Sequence, residues 1–267
     1  MLLEHVAAIL FFVCIAISLV AWIGVSFYRS PYNVRQSIIY FVNVLLTRLL
    51  WRTEVPRKLP VGENQGVVLF CNHRSTIDPC FLQLAAQRVV HWLVADEFGN
   101  FFLIAKLLRF LEIIEVRRSG RDTAAMKKAI RYVSEGRALG IFPEGRINMS
   151  DDFMMPIRPG AIAIALKGKV PIVPVYIHGS PYGGTPLSPL RMPARVVVRF
   201  GEPIDLSPYY DQDHRECMAE IATRCAKEIA KLAGIIDFEP KLAGRNWKPS
   251  DEEVAELNSI ARRKMGG

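Results

Sequence analysis

From residue 61 onward, short apolar runs alternate with amphipathic stretches along the chain. This alternation constrains the fold most, because strands that are apolar throughout need cover on both faces, which intervening helices supply. It predicts an α/β domain over residues 59–240, with a mostly parallel central sheet flanked by helices. The candidate strands are residues 67–71, 89–95, 111–116, 139–142, 172–177 and 195–200.

Two stretches have the periodicity of amphipathic helices. Residues 123–135 carry apolar side chains on one face, and Gly136 is placed to end that helix. Residues 209–233 form the second predicted helix. Within it, apolar residues and cysteines recur at every fourth position, which predicts a core stripe rather than chemistry: Cys217, Ile221, Cys225 and Ile229. Residues 241–267 are predicted to form a C-terminal helical tail.

The N-terminus contains an uncharged run at residues 6–28, rich in Ile, Leu, Val and Phe. As a helix, this run is long enough to cross a bilayer core of ~30 Å, so we predict a membrane-anchoring helix. A cleaved signal peptide is the alternative, but the run is longer than usual and no basic residue precedes it. A shorter apolar stretch at residues 37–50 predicts an interfacial helix, and the two together can form a hairpin. We assign residues 1–58 to the anchor.

The charges on either side of the apolar run predict the orientation of the anchor in the membrane. Glu4 is the only charged side chain before the apolar run, whereas basic residues follow it, which predicts that the main domain lies on the cytoplasmic face. The net charge of +8 suits nucleic acid, an anionic membrane or an acidic substrate about equally well. The five cysteines have no metal or disulfide spacing and the histidines are scattered singly, so no metal site is expected.

The predicted strand at residues 67–71 runs directly into a polar turn that contains His73, Asp78 and Pro79. Asp-Pro is a strong helix start. On a single helix, His73 and Asp78 would lie roughly 140° apart. On a turn that folds back, the Asp78 carboxylate can bond one ring nitrogen of His73 and leave the other to take a proton from an alcohol. We therefore predict a general base with its orienting acid; the alternative is a helix cap beside a polar loop residue.

Charged residues also follow two other predicted strands. Arg118 and Arg121 lie after the strand at 111–116, where guanidinium groups can bind a phosphate bidentately or simply form a solvated basic rim. The strand at 139–142 is followed by Pro143, Glu144, Gly145 and Arg146, an acid and a base on one turn.

With these motifs in order, the chain resembles the glycerolipid acyltransferases, the family of lysophosphatidic acid acyltransferase and glycerol-3-phosphate acyltransferase. The resemblance rests on Asn-His-x4-Asp-Pro, on the arginines after the third strand and on Phe-Pro-Glu-Gly. It implies that His73 is the base, that Arg118 and Arg121 contact phosphate, and that Glu144 and Gly145 help to form the acceptor pocket.

The sequence departs from the family form at one position. The commoner form has threonine between the glycine and the arginine, so Arg146 lies one residue early, and its substrate-binding role is less defined. A proline-punctuated apolar strand at residues 170–175 is similar to the fourth family block and implies a wall of the acyl pocket.

The resemblance implies transfer of a fatty acyl group from acyl-CoA or acyl-carrier protein to the free hydroxyl of a lysophospholipid, first of all 1-acyl-glycerol-3-phosphate, to give phosphatidic acid. No cofactor and no nucleic acid are expected. The alternatives are another acceptor (lysophosphatidylethanolamine, glycerol-3-phosphate or a lyso-aminolipid), a phospholipid transacylase, or a non-enzymatic basic membrane-surface protein. A nucleophilic Ser75 is disfavoured because the chain has no G-x-S-x-G elbow.

Overall fold

The computed structural model describes residues 32–95, 113–116 and 123–243, together with single positions and short runs between residues 5 and 25. The chain divides into two compact units, residues 1–42 and residues 43–267. Many residues of the predicted membrane helix, and residues 244–267 of the tail predicted at 241–267, lie outside the described residues. Within the part of the chain that the structure describes, no helix is both long and apolar enough to cross a membrane.

A six-stranded sheet forms the centre of the second unit. Its strands are β1 (Val67–Cys71), β2 (Val90–Ala95), β3 (Ile114–Val116), β4 (Ala138–Ile141), β5 (Ile172–His178) and β6 (Val197–Phe200). They lie in the order β3-β2-β4-β1-β5-β6, and every pairing is parallel except that of β5 with β6. The predicted α/β class with a mostly parallel sheet is confirmed.

Helices cover both faces of this sheet. Those in the second unit are α2 (Asp78–Ala86), α3 (Thr123–Ser134), α4 (Gly160–Gly168) and α5 (His214–Leu232), whereas α1 (Val34–Leu49) runs across the boundary between the two units. Residues of α3, α4 and α5 pack with Val68 and Phe70 in one core cluster. Residues of α2 and the ring of Trp51 pack with Val67, Leu69 and Cys71 in the other. Strand β1 is therefore buried on both faces, which explains its unbroken apolar run.

The predicted helices differ from the observed ones mainly at their ends. Helix α3 matches its prediction, and Gly136 follows it with a left-handed φ of 84°. The helix predicted from residue 209 begins only at His214, because Ser207–Tyr209 form a separate 3-10 turn. Its predicted apolar stripe is buried as expected: Cys217, Ile221, Cys225 and Ile229.

Residues 43–58 were predicted as part of the anchor but group with the second unit. The Glu54 amide donates to the Val196 carbonyl (2.8 Å), and the Val198 amide donates to the Glu54 carbonyl (2.9 Å). The segment after α1 thus pairs with β6. These hydrogen bonds explain why the segment groups with the α/β unit.

Candidate active site

The polar turn after β1 begins with a buried asparagine that ties two strands together. Asn72 Nδ2 donates to the Ile177 carbonyl (3.0 Å), and Asn72 Oδ1 accepts from the Ile177 amide (2.8 Å). The side chain therefore takes the place of a backbone unit and prolongs the pairing of β1 with β5. The turn is held at the carboxyl end of the sheet, where open α/β folds place their ligands.

His73 and Asp78 meet on this turn, as the fold-back geometry requires. His73 Nδ1 lies 2.9 Å from Asp78 Oδ2, and the Asp78 side chain is fully buried. A carboxylate can only accept, so Nδ1 carries the proton, and in the neutral imidazole Nε2 then keeps its lone pair. Among the described residues, Nε2 has no hydrogen-bond partner. The ring is therefore oriented to accept a proton at Nε2.

Asp78 does more than begin a helix. It is the first residue of α2 and is followed by Pro79. Its Oδ2 accepts from the amides of Arg74 (2.7 Å) and Ser75 (2.8 Å), which precede the helix. Within the described residues, the donors to its carboxylate lie on the turn and on Ser180, and none is an amide of α2. This geometry opposes the interpretation of Asp78 as only a cap.

An aromatic stack supports the His73 ring. The ring lies parallel to that of Phe142, with centroids 3.9 Å apart and 10° between planes, and Phe142 in turn stacks on Trp92 at 5.2 Å. Gly140 is the register partner of Trp92 in the β2–β4 ladder. A Cβ at Gly140 would lie 2.4 Å from a ring carbon of Trp92, so the stack requires glycine there. This aromatic support was not predicted from the sequence, in which the glycine inside a strand pattern was the available signal.

Glu144 holds the backbone of the turn. Its Oε1 accepts from the His73 amide (2.8 Å) and its Oε2 from the Met155 amide (2.8 Å). Burial raises its pKa to about 7, although the two amide bonds and the charge of Arg74 lower it. The side chain is only 1% exposed. Because both oxygens face backbone amides, Glu144 fixes the main chain of the turn, and its part in forming the acceptor pocket stays a prediction.

The raised pKa of Glu144 predicts a pH-dependent contribution to stability. The pKa is about 7 in the folded chain against an ordinary 4.5, so the folded state binds more protons between these values. The contribution of Glu144 to the free energy of unfolding therefore falls as pH rises through this window, by an amount on the order of 3 kcal/mol. We expect the melting temperature of the wild type, relative to that of Glu144→Gln, to decline between about pH 5 and about pH 8. Parallel pH trends for the two proteins would contradict this prediction.

The other predicted substrate-binding residues are placed differently. Gly145 has a left-handed φ of 70°, and its amide donates to the Phe142 carbonyl (3.1 Å), so it closes the turn after β4. Arg146 follows it and is partly exposed. Arg118 and Arg121 lie outside the described residues, so their predicted phosphate contacts stay a prediction.

A loop over residues 179–192 is fastened across the turn. Ser75 Oγ donates to the Pro181 carbonyl (2.6 Å), and Thr76 Oγ1 donates to the Pro186 carbonyl (3.0 Å). Ser75 is fully buried. A hydroxyl that is buried and already donating to a carbonyl cannot reach a substrate, so the structure opposes Ser75 as a nucleophile.

A polar cleft of about 400 Å³ opens between this loop and the turn. Its walls include Arg74, Asp151, Tyr176, His178, Ser180 and Tyr182. One terminal nitrogen of Arg74 donates to the carbonyls of Asn148 (3.1 Å) and Ser150 (2.7 Å), which fixes the guanidinium against the cleft wall. This cleft could not be predicted from local sequence patterns, because its residues come from three separate parts of the chain.

Comparison with known proteins decides the family. The profile of the family described as Acyltransferase matches residues 52–178, a range that holds the turn after β1, the turn after β4 and all of β5. Residues 52–178 are a domain of the acyltransferase family. A protein with this domain is an enzyme, which sets aside the non-enzymatic alternative.

Individual relatives of this acyltransferase agree with that assignment. A protein of Bacillus subtilis is 25% identical over 185 residues, which cover 69% of this chain and 89% of that protein. A protein of Borreliella burgdorferi is 33% identical over 126 residues, covering 45% of this chain and 48% of that protein. Both are named 1-acyl-sn-glycerol-3-phosphate acyltransferase.

The fold also has a solved counterpart. The crystal structure of the 1-acyl-sn-glycerophosphate acyltransferase PlsC from Thermotoga maritima superposes with a TM-score of 0.57, covering 80% of this chain and 81% of that one. The two sequences are 19% identical. At this identity the likeness establishes a shared fold.

Proposed function

We propose that this acyltransferase moves a fatty acyl group from acyl-CoA or acyl-carrier protein to the free hydroxyl of 1-acyl-glycerol-3-phosphate and so forms phosphatidic acid. The observation that carries the proposal is the bond between His73 Nδ1 and the buried Asp78 carboxylate, 2.9 Å long, which leaves Nε2 as a base. The names of the relatives from Bacillus subtilis and Borreliella burgdorferi support this acceptor.

The proposed mechanism is a direct attack. His73 Nε2 takes the proton of the acceptor hydroxyl while the oxygen adds to the thioester carbonyl carbon. The tetrahedral adduct then collapses, the carbon–sulfur bond breaks, and the thiolate takes the proton from the imidazolium. Asp78 stabilises the imidazolium between these two steps. Both proposed donors are acidic, and the net charge of +8 favours their approach.

The experiment that tests the function is a matrix of acceptors and donors. Purified full-length protein is given lysophosphatidic acid, lysophosphatidylethanolamine or glycerol-3-phosphate, each with acyl-CoA or acyl-carrier protein, and free thiol and lipid product are measured. We expect the highest kcat/KM with lysophosphatidic acid. Preference for another acceptor would refute the proposed acceptor, and transfer that needs a phospholipid donor instead of a thioester would identify a transacylase.

We further propose that Arg118 and Arg121 bind the phosphate of the acceptor, and that Gly145 and Arg146 contribute to the acceptor pocket. Replacing either Arg118 or Arg121 with alanine should raise the acceptor KM by roughly ten- to a hundredfold, which matches loss of a charge-assisted bond of ~1.5 to 3 kcal/mol. The donor KM should change much less. Arg118→Lys should recover part of the loss, because lysine restores charge without the bidentate fork.

Initial rates over a range of acceptor and donor concentrations check this prediction. If both alanine variants raise the donor KM alone, these arginines bind the phosphates of acyl-CoA instead. Unchanged constants would assign them to a solvated rim.

We also propose that the N-terminal unit, residues 1–42, attaches the enzyme to the membrane with its catalytic domain on the cytoplasmic face. The uncharged run at residues 6–28 and the basic residues after it support this arrangement. Retention of the chain in membranes through carbonate washing tests the attachment, since an apolar helix does not depend on charge attraction.

A further inference from the structure

The two oxygens of the Asp78 carboxylate are held from different parts of the chain. Oδ2 accepts from His73 Nδ1 and from the amides of Arg74 and Ser75, all on the turn itself. Oδ1 accepts from the hydroxyl of Ser180, a residue 102 positions away on the loop after β5. Within the described residues, Ser180 is the only hydrogen-bond donor to Oδ1.

We propose that Ser180 is a positioning residue that fixes the plane of the Asp78 carboxylate and thereby the orientation of His73. This inference rests on the proposed role of His73 as the base. The torsion at the end of an aspartate side chain is soft, so donors on Oδ2 alone leave the carboxylate free to turn about that oxygen. A donor on Oδ1 removes this freedom. It keeps the Oδ2 lone pair directed at Nδ1, which maintains the tautomer in which Nε2 is the base.

The backbone before Ser180 is built to bring its hydroxyl back to the turn. Gly179 has a left-handed φ of 75°, and a Cβ there would lie 2.3 Å from the Arg195 carbonyl oxygen. Only glycine fits this position. Just after Ser180, the Pro181 carbonyl accepts from the buried Ser75 hydroxyl (2.6 Å). The main chain is therefore fixed on both sides of Ser180, at Gly179 and at Pro181, which suits a residue that positions the Asp78 carboxylate.

Kinetic measurements on the full-length enzyme test the proposal. We expect Ser180→Ala to lower kcat about tenfold, with little change in either KM, because the lost bond acts on the base and not on substrate. Ser180→Thr keeps the hydroxyl and should recover most of the rate. Thr76→Val is the matched control, since it removes the bond of the same loop to the Pro186 carbonyl without touching Asp78. It should keep the wild-type kcat.

Two kinetic outcomes would overturn the proposal. One is a wild-type kcat in Ser180→Ala. The other is an equal loss in Thr76→Val, which would show that anchoring of the loop, and not the bond to Asp78, matters for the rate.

A spectroscopic measurement separates this inference from the proposed function. In full-length protein labelled with ¹⁵N-histidine, the His73 ring resonances, assigned by their loss in His73→Ala, report which ring nitrogen carries the proton. We expect Ser180→Ala to shift the population from the Nδ1–H toward the Nε2–H tautomer. This readout needs no substrate. If Ser180→Ala shifts the His73 tautomer but the enzyme prefers another acceptor, only the proposed acceptor is refuted. If the tautomer is unchanged in Ser180→Ala while the enzyme is active, only the proposed role of Ser180 is refuted.

Discussion

A His73→Ala variant should lose about 10²- to 10⁴-fold in kcat, the contribution of a positioned general base, and should remain folded. The side chain is 15% exposed and stacks on the ring of Phe142, and it belongs to neither core cluster, so little core is removed. The main chain at this position keeps its bonds to Glu144 and to the Asn148 amide. Thiol release at saturating acceptor and donor measures the rate, and the melting temperature reports the fold.

His178→Ala is the matched control for this variant. His178 is an exposed histidine at the end of β5, and its ring Nδ1 lies 3.1 Å from the Tyr176 hydroxyl rather than beside a carboxylate. We expect the kcat of His178→Ala at saturating substrates to fall far less than that of His73→Ala, because no carboxylate orients the His178 ring as a base. Wild-type turnover in a folded His73→Ala protein would refute the mechanism.

An Asp78→Asn variant should lose a comparable factor, about 10²- to 10⁴-fold in kcat, with near wild-type stability. Asparagine can satisfy the same contacts: its amide oxygen faces the donors on the turn, and its NH2 group donates to the Ser180 hydroxyl. What it lacks is the negative charge that stabilises the imidazolium. The substitution therefore separates the charge of Asp78 from its structural contacts.

As for His73→Ala, kcat and the melting temperature are measured for Asp78→Asn. Asp78→Ala is the contrasting variant, because it leaves the buried amides of Arg74 and Ser75 without an acceptor, at about 1 to 3 kcal/mol each. It should therefore be both slow and less stable. Full activity in Asp78→Asn would mean that the aspartate serves only to hold the turn.

Several features of the fold could be predicted because they depend on local order along the chain. The apolar run of β1 and the start of α2 at Asp78 both follow from residues adjacent in sequence. The strands predicted at 67–71 and 172–177 match β1 and β5 closely. The start of α5 was predicted five residues too early, since a helical period continues through a 3-10 turn without marking it.

The candidate site could be predicted only in part. The bond between His73 and Asp78 lies within a turn of six residues, so it could be predicted from their spacing in the sequence. The direction of the Glu144 carboxylate could not be predicted in this way, because it depends on a hydrogen bond from the His73 amide, 71 residues away. A motif predicts that an acid is present on a turn, whereas the packing around it decides what that acid contacts.

The sequence by itself determined the α/β class, the acyltransferase resemblance and the choice of His73 and Asp78, because each rests on periodicity or spacing over a few residues. Only the tertiary structure decided that Ser180 holds the second oxygen of Asp78 and that Trp92 and Phe142 support the His73 ring. These contacts arise where parallel strands, separated by whole helices in the chain, end side by side. Parallel pairing brings such distant segments to one edge of the sheet, and no local pattern encodes which side chains then meet.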